Sequence, residues 1–310
     1  MDYFHMCMKI ISRSAGRSSV AAAAYRAAER IYDHRTGLWH DFTDKGGVVH
    51  SEILLPDHAP EHYRDRAILW NSVEHSEKAK NAQTAREVEI ALPCELDREE
   101  LIKLTREYVQ EQFVSRGMCA DVCIHQKGEK NTHAHIMLTT RPIEPDGTWG
   151  AKSRKEYVLD RSGQRIRLDS GEWKSKKVSA VDWNEHENAE LWRKAWANTL
   201  NRELERHGLE SVDHRSYKRQ GLDKEPQQHM GPKALELERQ GIQTEIGDKN
   251  RGVRERNAQR ERGRHIRNLN EKNYTKQPQR DGQAQDRLPT FEEWLEGHKK
   301  EQSRGMERGR

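Results

Sequence analysis

Three histidines fall within IHQKGEKNTHAHIML, residues 124–138: His133 and His135 flank one alanine, and His125 precedes the pair by eight residues. Alternate side chains of a β-strand leave from one face, so a strand through AHIML, 134–138, projects His133 and His135 together. The run Asp-Val-Cys-Ile at 121–124 reads as a partner strand, and Lys-Gly-Glu-Lys as the turn between them, a β-hairpin. Asp121, Cys123 and His125 share a face of that arm, so pairing sets His125 opposite the histidine pair. Three imidazoles converging from two rigid strands form a ligand set for a divalent cation with open coordination positions. A closed structural zinc site would want a fourth protein ligand, usually cysteine at finger-like spacing. Cys123 is near, but no second cysteine follows it.

Tyr25 is the second chemical candidate. It sits in VAAAAYRAAERIYD, which reads as a helix capped by Ser18 or Ser19 after the loop SRSAGRSS. Ala21, Ala22 and Ala28, three and four residues away, leave the helix surface around the phenol bare, so a bulky backbone can lie against it. A tightly packed helix is the alternative explanation for such an alanine run. Tyrosine can be a covalent nucleophile when a metal polarises the group it attacks. Arg13, Arg17 and Arg26 could hold phosphates beside it. Tyr32 lies seven residues further, on the same helical face, and is the alternative nucleophile.

These residues need a scaffold. YFHMCMKII (3–11) and VVHSEILL (48–55) read as strands, and REVEIAL (86–92) alternates strictly up to Pro93. Helical periodicity covers 61–80, with Trp70, and 97–116, with Leu101, Leu104, Tyr108 and Phe113 near one face before Gly117. Residues 150–180 hold nine Lys+Arg against four acids, with a Ser162-Gly163 turn suggesting a second hairpin. A helix at 185–207, carrying Trp192, Trp196, Leu200 and Leu204, closes the domain. This order predicts an α+β fold, an antiparallel or mixed sheet with helices packed on one face, rather than a βαβ series.

The 310 residues suffice for one large or two modest domains. Charged residues (34%) slightly outnumber hydrophobic ones (33%) and mean hydropathy is -1.13, so part of the chain must be solvated rather than packed. No apolar run has the ~18 residues of a membrane span, the first residues are no signal peptide, and four cysteines show no disulfide-framework density. A reducing cytoplasm is the expected location. Residues 249–310 carry 17 Lys+Arg against 10 Asp+Glu, +7, which leaves -3 for residues 1–248. Three regions are expected: 1–220 as the catalytic domain, 221–248 as a polar extension, and 249–310 as a basic tail, helical in patches or disordered, with a last apolar patch LPTFEEWL (288–295).

Several ordered blocks now make a specific pattern: SRSAGRSSVAAAAYRAAER, AREVEIALPCEL, GMCADVCIHQKGEKNTHAHIMLTTR, LWRKAWANTLNREL and VDHRSYKRQGLDKEPQQHMGPKALELE. Over roughly residues 1–250 they resemble the MobA/MobL (MobQ-type) conjugative relaxases of the His-hydrophobic-His endonuclease superfamily. The resemblance implies a nickase and strand transferase for plasmid mobilisation. Its nucleophilic tyrosine falls on Tyr25 and its metal-binding histidines on His125, His133 and His135, with Mg²⁺ or Mn²⁺ as cofactor. The implied partners are single-stranded origin-of-transfer DNA, relaxosome accessory proteins and a type IV secretion coupling protein. The implied product is a 5′-phosphotyrosyl link; no Gly-x-x-x-x-Gly-Lys-Ser/Thr loop occurs, consistent with an ATP-independent step.

A phenol of pKa about 10 needs help to lose its proton at neutral pH. Glu87, which shares a strand face with Glu89, is the first candidate for a base or for orienting a histidine ligand, and Asp121 the second. Lys152, Arg154 and Lys155 of the basic stretch, with Trp149 or Trp173, are candidates for gripping backbone and stacking bases of single-stranded DNA. A rolling-circle replication initiator or transposase of the same superfamily, or a non-catalytic DNA-binding regulator, are the competing readings.

Overall fold

Nine strands and six α-helices follow one another in the computed structural model, which describes residues 4–126, 128 and 131–275. The strands are β1 Met6–Ser12, β2 Arg30–Asp33, β3 Leu38–Asp41, β4 Val48–Leu54, β5 Gln83–Ala91, β6 Ala120–Gln126, β7 Thr132–Thr139, β8 Ser153–Tyr157 and β9 Ser175–Ser179. The helices are α1 Ser19–Ala27, α2 Arg66–Ser76, α3 Arg98–Gln112, α4 Glu187–Arg206, α5 Gly231–Arg239 and α6 Glu245–Thr275. The chain divides into two units, 1–214 and 215–310.

The first unit is an α+β fold around a five-stranded antiparallel sheet ordered β1-β5-β7-β6-β4. The period of two sorts its residues. Val88, Ile90, Val122, Ile124, Ala134, Ile136 and Leu138 form one buried face with Leu104 and Tyr108 of α3 and Trp192 and Trp196 of α4. Asp97 starts α3 with a capping box closed by Glu100. The opposite face is covered too, contrary to the expectation of helices on one side. Ala85, Cys119 and Met137 leave an apolar strip there, and Val20, Ala23 and Ala24 of α1 with Leu69, Trp70 and Val73 of α2 bury it. That second layer is what brings a helix to the histidine side of the sheet.

The Ala-rich helix is shorter than its sequence suggests. Ser18 caps α1, accepting from the Ala21 N–H, as expected. At the other end Ala28 adopts φ 58°, in the left-handed region, and the chain turns into β2, which pairs with β3. Tyr32 is therefore a strand residue against Trp39, not a neighbour of Tyr25 on one helix face. Alanine propensity favoured a longer helix, but the Asp33–Gly37 turn overrides it. The Asp33 carboxylate accepts from the Arg35 and Thr36 N–H groups, and Gly37, at φ 71°, donates to the Asp33 carbonyl.

The basic stretch 150–180 is the expected hairpin: β8 pairs with β9, and the Ser162-Gly163 turn lies between them with a second turn at Gly171. In the second unit, Asn257 and Asn250 of α6 each bind both backbone groups of one residue of an extended segment, Glu225 and Gln228. Helix α6 runs through the expected 248/249 boundary. LPTFEEWL (288–295) lies outside the described residues. Among the described residues no helix is long and apolar enough to cross a membrane.

Candidate active site

The β6–β7 register places His125 opposite His133 and Cys123 opposite His135. Ring centroids are 5.4 Å apart for His125–His133, 4.8 Å for His125–His135 and 5.0 Å for His133–His135. One ring nitrogen of each lies within 4.8 Å of the others, so the three form a group able to hold a metal ion. Each ring is also held from behind. His125 Nε2–H donates to the Arg26 carbonyl (2.6 Å), His133 Nδ1–H to the Asn131 carbonyl (3.3 Å) and His135 Nδ1–H to Glu87 Oε1 (2.7 Å). Because these oxygens only accept, each contact sets a tautomer and leaves the lone pair on the other nitrogen. Metal-ligating histidines are characteristically braced this way. Burial pushes His125 down to about 4 and lowers His133, so both are neutral at pH 7, the form that binds metal. The residues fit a divalent cation.

Glu87 is buried under this group. Burial raises its pKa, but hydrogen bonds from His135 and Arg26 outweigh that and hold it well below the usual carboxylate range. A carboxylate so engaged orients His135 and is a poor proton acceptor. Its strand neighbour Glu89 pairs with Lys9 at 2.8 Å. Asp121 shares the histidine face but lies four residues from His125 along β6, about 14 Å at ~3.4 Å per residue. Its oxygens accept two bonds from Arg66 (2.8 and 2.9 Å) and one from the Trp70 indole (2.8 Å), all buried.

Tyr25 lies one residue before the Arg26 carbonyl that His125 grips, and its ring is half exposed. Phe42 meets that ring edge-on at 5.2 Å, and Lys45 Nζ sits 4.4 Å from its centroid. A cleft of about 490 Å³ opens beside it, lined by Gly16, Arg17, Ser18, Ala22, Arg26 and Glu87 among others.

The six basic residues expected at DNA divide evenly. Arg13 is bound to Glu74 and to backbone carbonyls, Arg26 to Glu87, and Lys152 to Glu77. Arg17, Arg154 and Lys155 are exposed, Arg154 lying 3.4 Å from the Glu156 carboxylate. Trp149 is half-buried, donating to Ser72 Oγ at 2.8 Å, whereas Trp173 is exposed.

Comparison with known proteins decides the family. The sequence model of the MobA/MobL family matches residues 17–240. The chain belongs to the MobA/MobL family. It is 34% identical to a protein named mobilization protein MobL from Acidithiobacillus ferridurans, over 77% of this chain and 64% of that one. Identity is 32% to a probable mobilization protein MobA from Bifidobacterium longum, over 83% and 48%, and 39% to a conjugal transfer protein TraA from Rhizobium radiobacter, over 55% and 16%. The chain thus spans about half to two thirds of the first two relatives' length. A solved structure described as "Molecular Basis of Vancomycin Resistance Transfer in Staphylococcus aureus" is similar with a TM-score of 0.59 and 33% identity, over 69% of this chain and 99% of that chain.

Two site features of this MobA/MobL chain carry no signal in its sequence. One is Lys45, in a loop whose Asp-Lys-Gly-Gly text carries no motif. The other is Glu74, buried beneath the start of α1, where it binds Ser19, Arg13 and Arg35. Nothing in the local sequence marks either.

Proposed function

We propose that this chain is the relaxase of a mobilisable plasmid, cutting one strand of single-stranded origin-of-transfer DNA by attack of Tyr25. The observation that carries the reading is the hydrogen bond from His125 to the carbonyl of Arg26. It ties a three-histidine metal group to the residue next to the nucleophile. The relatives named for mobilization and conjugal transfer support the biological setting.

In the step proposed, the Tyr25 Oη–P bond forms as the P–O3′ bond breaks. The phenol gives up its proton and the departing 3′ oxygen gains one. The products are a 5′-phosphotyrosyl ester and a free 3′-hydroxyl, and because the ester conserves the bond energy, religation needs no nucleotide. His125, His133 and His135 would hold the divalent cation, which when bound withdraws charge from the phosphate oxygens. Three imidazoles suit Mn²⁺ better than oxygen-preferring Mg²⁺. Glu87 keeps His135 in its ligating tautomer, Asp121 braces the layer beneath through Arg66 and Trp70, and Arg17, Arg154 and Lys155 track the DNA backbone. The strand must enter unpaired, since the α1 face cannot reach a backbone phosphate beside a metal inside a duplex. Relaxosome accessory proteins and a secretion coupling protein would be its protein partners.

The test is incubation of the full chain and Mn²⁺ with tiled single-stranded oligonucleotides from the plasmid's transfer region, followed by denaturing electrophoresis. A covalent protein–DNA band is expected, absent in Tyr25→Phe, whose oligonucleotide binding stays intact because only one oxygen is lost. Adduct surviving in Tyr25→Phe but lost in Tyr32→Phe would reassign the nucleophile. Binding with no adduct on any tile would favour a regulator.

A further inference from the structure

Lys45 is half-buried beside Tyr25. Its Nζ is out of contact with water and makes no hydrogen bond among the described residues. What it does meet is the face of the Tyr25 ring, 4.4 Å from the centroid. An ammonium taken from water is costly unless paired, and a cation–π contact returns only part of that cost. Burial accordingly lowers the lysine's pKa. The groups whose charge is felt at Lys45 are the Cys123 thiol and the Arg26 cation, and the acids of the candidate site are committed elsewhere: Glu87 to Arg26 and His135, Glu89 to Lys9.

The loop that carries Lys45 is anchored on both sides of the site. Phe42, whose carbonyl accepts from the Lys45 N–H, packs against Tyr25. Gly47, two residues after Lys45, accepts from the Gln126 N–H next to His125. Gly47 has φ 91°, and a Cβ there would come within 3.3 Å of the Gln126 carbonyl oxygen, so only glycine lets the loop lie this close to β6. Lys45 is thereby fixed between the nucleophile's ring and the histidine strand, and its charge is felt at His125 and His133.

We propose that Lys45 is a further catalytic residue, its ammonium binding a non-bridging oxygen of the phosphate that Tyr25 attacks. The proposal rests on the relaxase reading above. The cation, unpaired among the described residues, acquires its anion when the substrate phosphate enters and the flexible lysine stem turns Nζ from the Tyr25 ring face toward it. It then meets the charge that grows on that phosphate as Oη approaches, and stays on the phosphotyrosyl ester afterwards. Arg26 cannot take this role, being held by Glu87, and neither can Lys9, held by Glu89.

The test compares full-length wild type with Lys45→Met, which keeps the packing on the Tyr25 ring without the charge, and Lys45→Arg, which keeps the charge. At saturating oligonucleotide, Lys45→Met should lower the rate of adduct formation about 100-fold, the size seen when one charge-stabilising donor is removed, with its thermal midpoint and oligonucleotide affinity little changed. Lys45→Arg should recover most of the rate. Independently of activity, titrating inorganic phosphate into the chain labelled at lysine ¹³Cε should move the Lys45 signal, identified by its absence in Lys45→Met. A Lys45→Met chain with the wild-type rate, or a Lys45 signal that phosphate leaves unmoved, overturns the proposal. If wild type forms no adduct on any oligonucleotide, the relaxase reading fails, and the phosphate titration alone decides whether Lys45 binds an anion.

Discussion

The two faces of β5, β6 and β7 carry opposite kinds of residue on the same backbone. Toward α3 and α4 stand Val88, Ile90, Val122, Ile124, Ala134, Ile136 and Leu138, all buried and all apolar. Toward α1 and α2 stand Glu87, Glu89, Asp121, His125, His133 and His135. Every histidine on the second face is one residue from a core side chain on the first, so the rigidity of the core is transmitted directly to the imidazoles. A loop could place three histidines as close, but could not hold their rings against a buried sheet.

The comparison would be too simple if the polar face were all chemistry and the apolar face all stability, and Asp121 tests this hardest. It is 1% exposed at its side chain and answers Arg66 and Trp70. Removing one member of a buried pair leaves the other uncompensated, so Asp121→Ala should cost about 3–5 kcal/mol of unfolding free energy in urea. A stable Asp121→Ala chain that has lost adduct formation would instead make Asp121 the base. On the apolar face, Ile136→Ala should cost about 2–4 kcal/mol by cavity formation, while Mn²⁺ affinity of the folded fraction stays near wild type. A large loss of metal affinity there would mean the faces are coupled more tightly than their alternation suggests. The smallest effect is expected from Glu87→Gln. Its side-chain oxygen still accepts from His135 but without charge, so Mn²⁺ affinity by calorimetry should fall about 10-fold, near the lower end for such partners. Unchanged affinity would remove Glu87 from the site.

Local periodicity made the histidine strands, their hairpin, the Ser18 cap and the basic hairpin legible from sequence, because each depends on residues within a few positions. What escaped depends on distance in the chain. The Asp121 partners lie 55 and 51 residues away, and Arg13 and Arg26 each meet a carboxylate 61 residues on. Spacing therefore suggested a free acid at Asp121 and free cations at Arg13, Arg26 and Lys152, where the fold supplies a partner to each. The end of α1 escaped for another reason: ArgAlaAlaGlu favours helix, and only the β2–β3 pairing beyond it, signalled faintly by Asp33 and Gly37, forces the left-handed Ala28.

The nine residues of α1 are clamped at both ends. Glu74 takes the Ser19 N–H and hydroxyl at its start, and His125 takes the Arg26 carbonyl at its finish. The helix is consequently a spacer of set length as well as a surface. Inserting one residue between Val20 and Ala24 would rotate Tyr25 by about 100° relative to the start of the helix, and the two clamps could no longer both be met. Drift in this segment should be confined to exchanging side chains. Changes of length should be tolerated in exposed turns such as Ser162-Gly163, and not here.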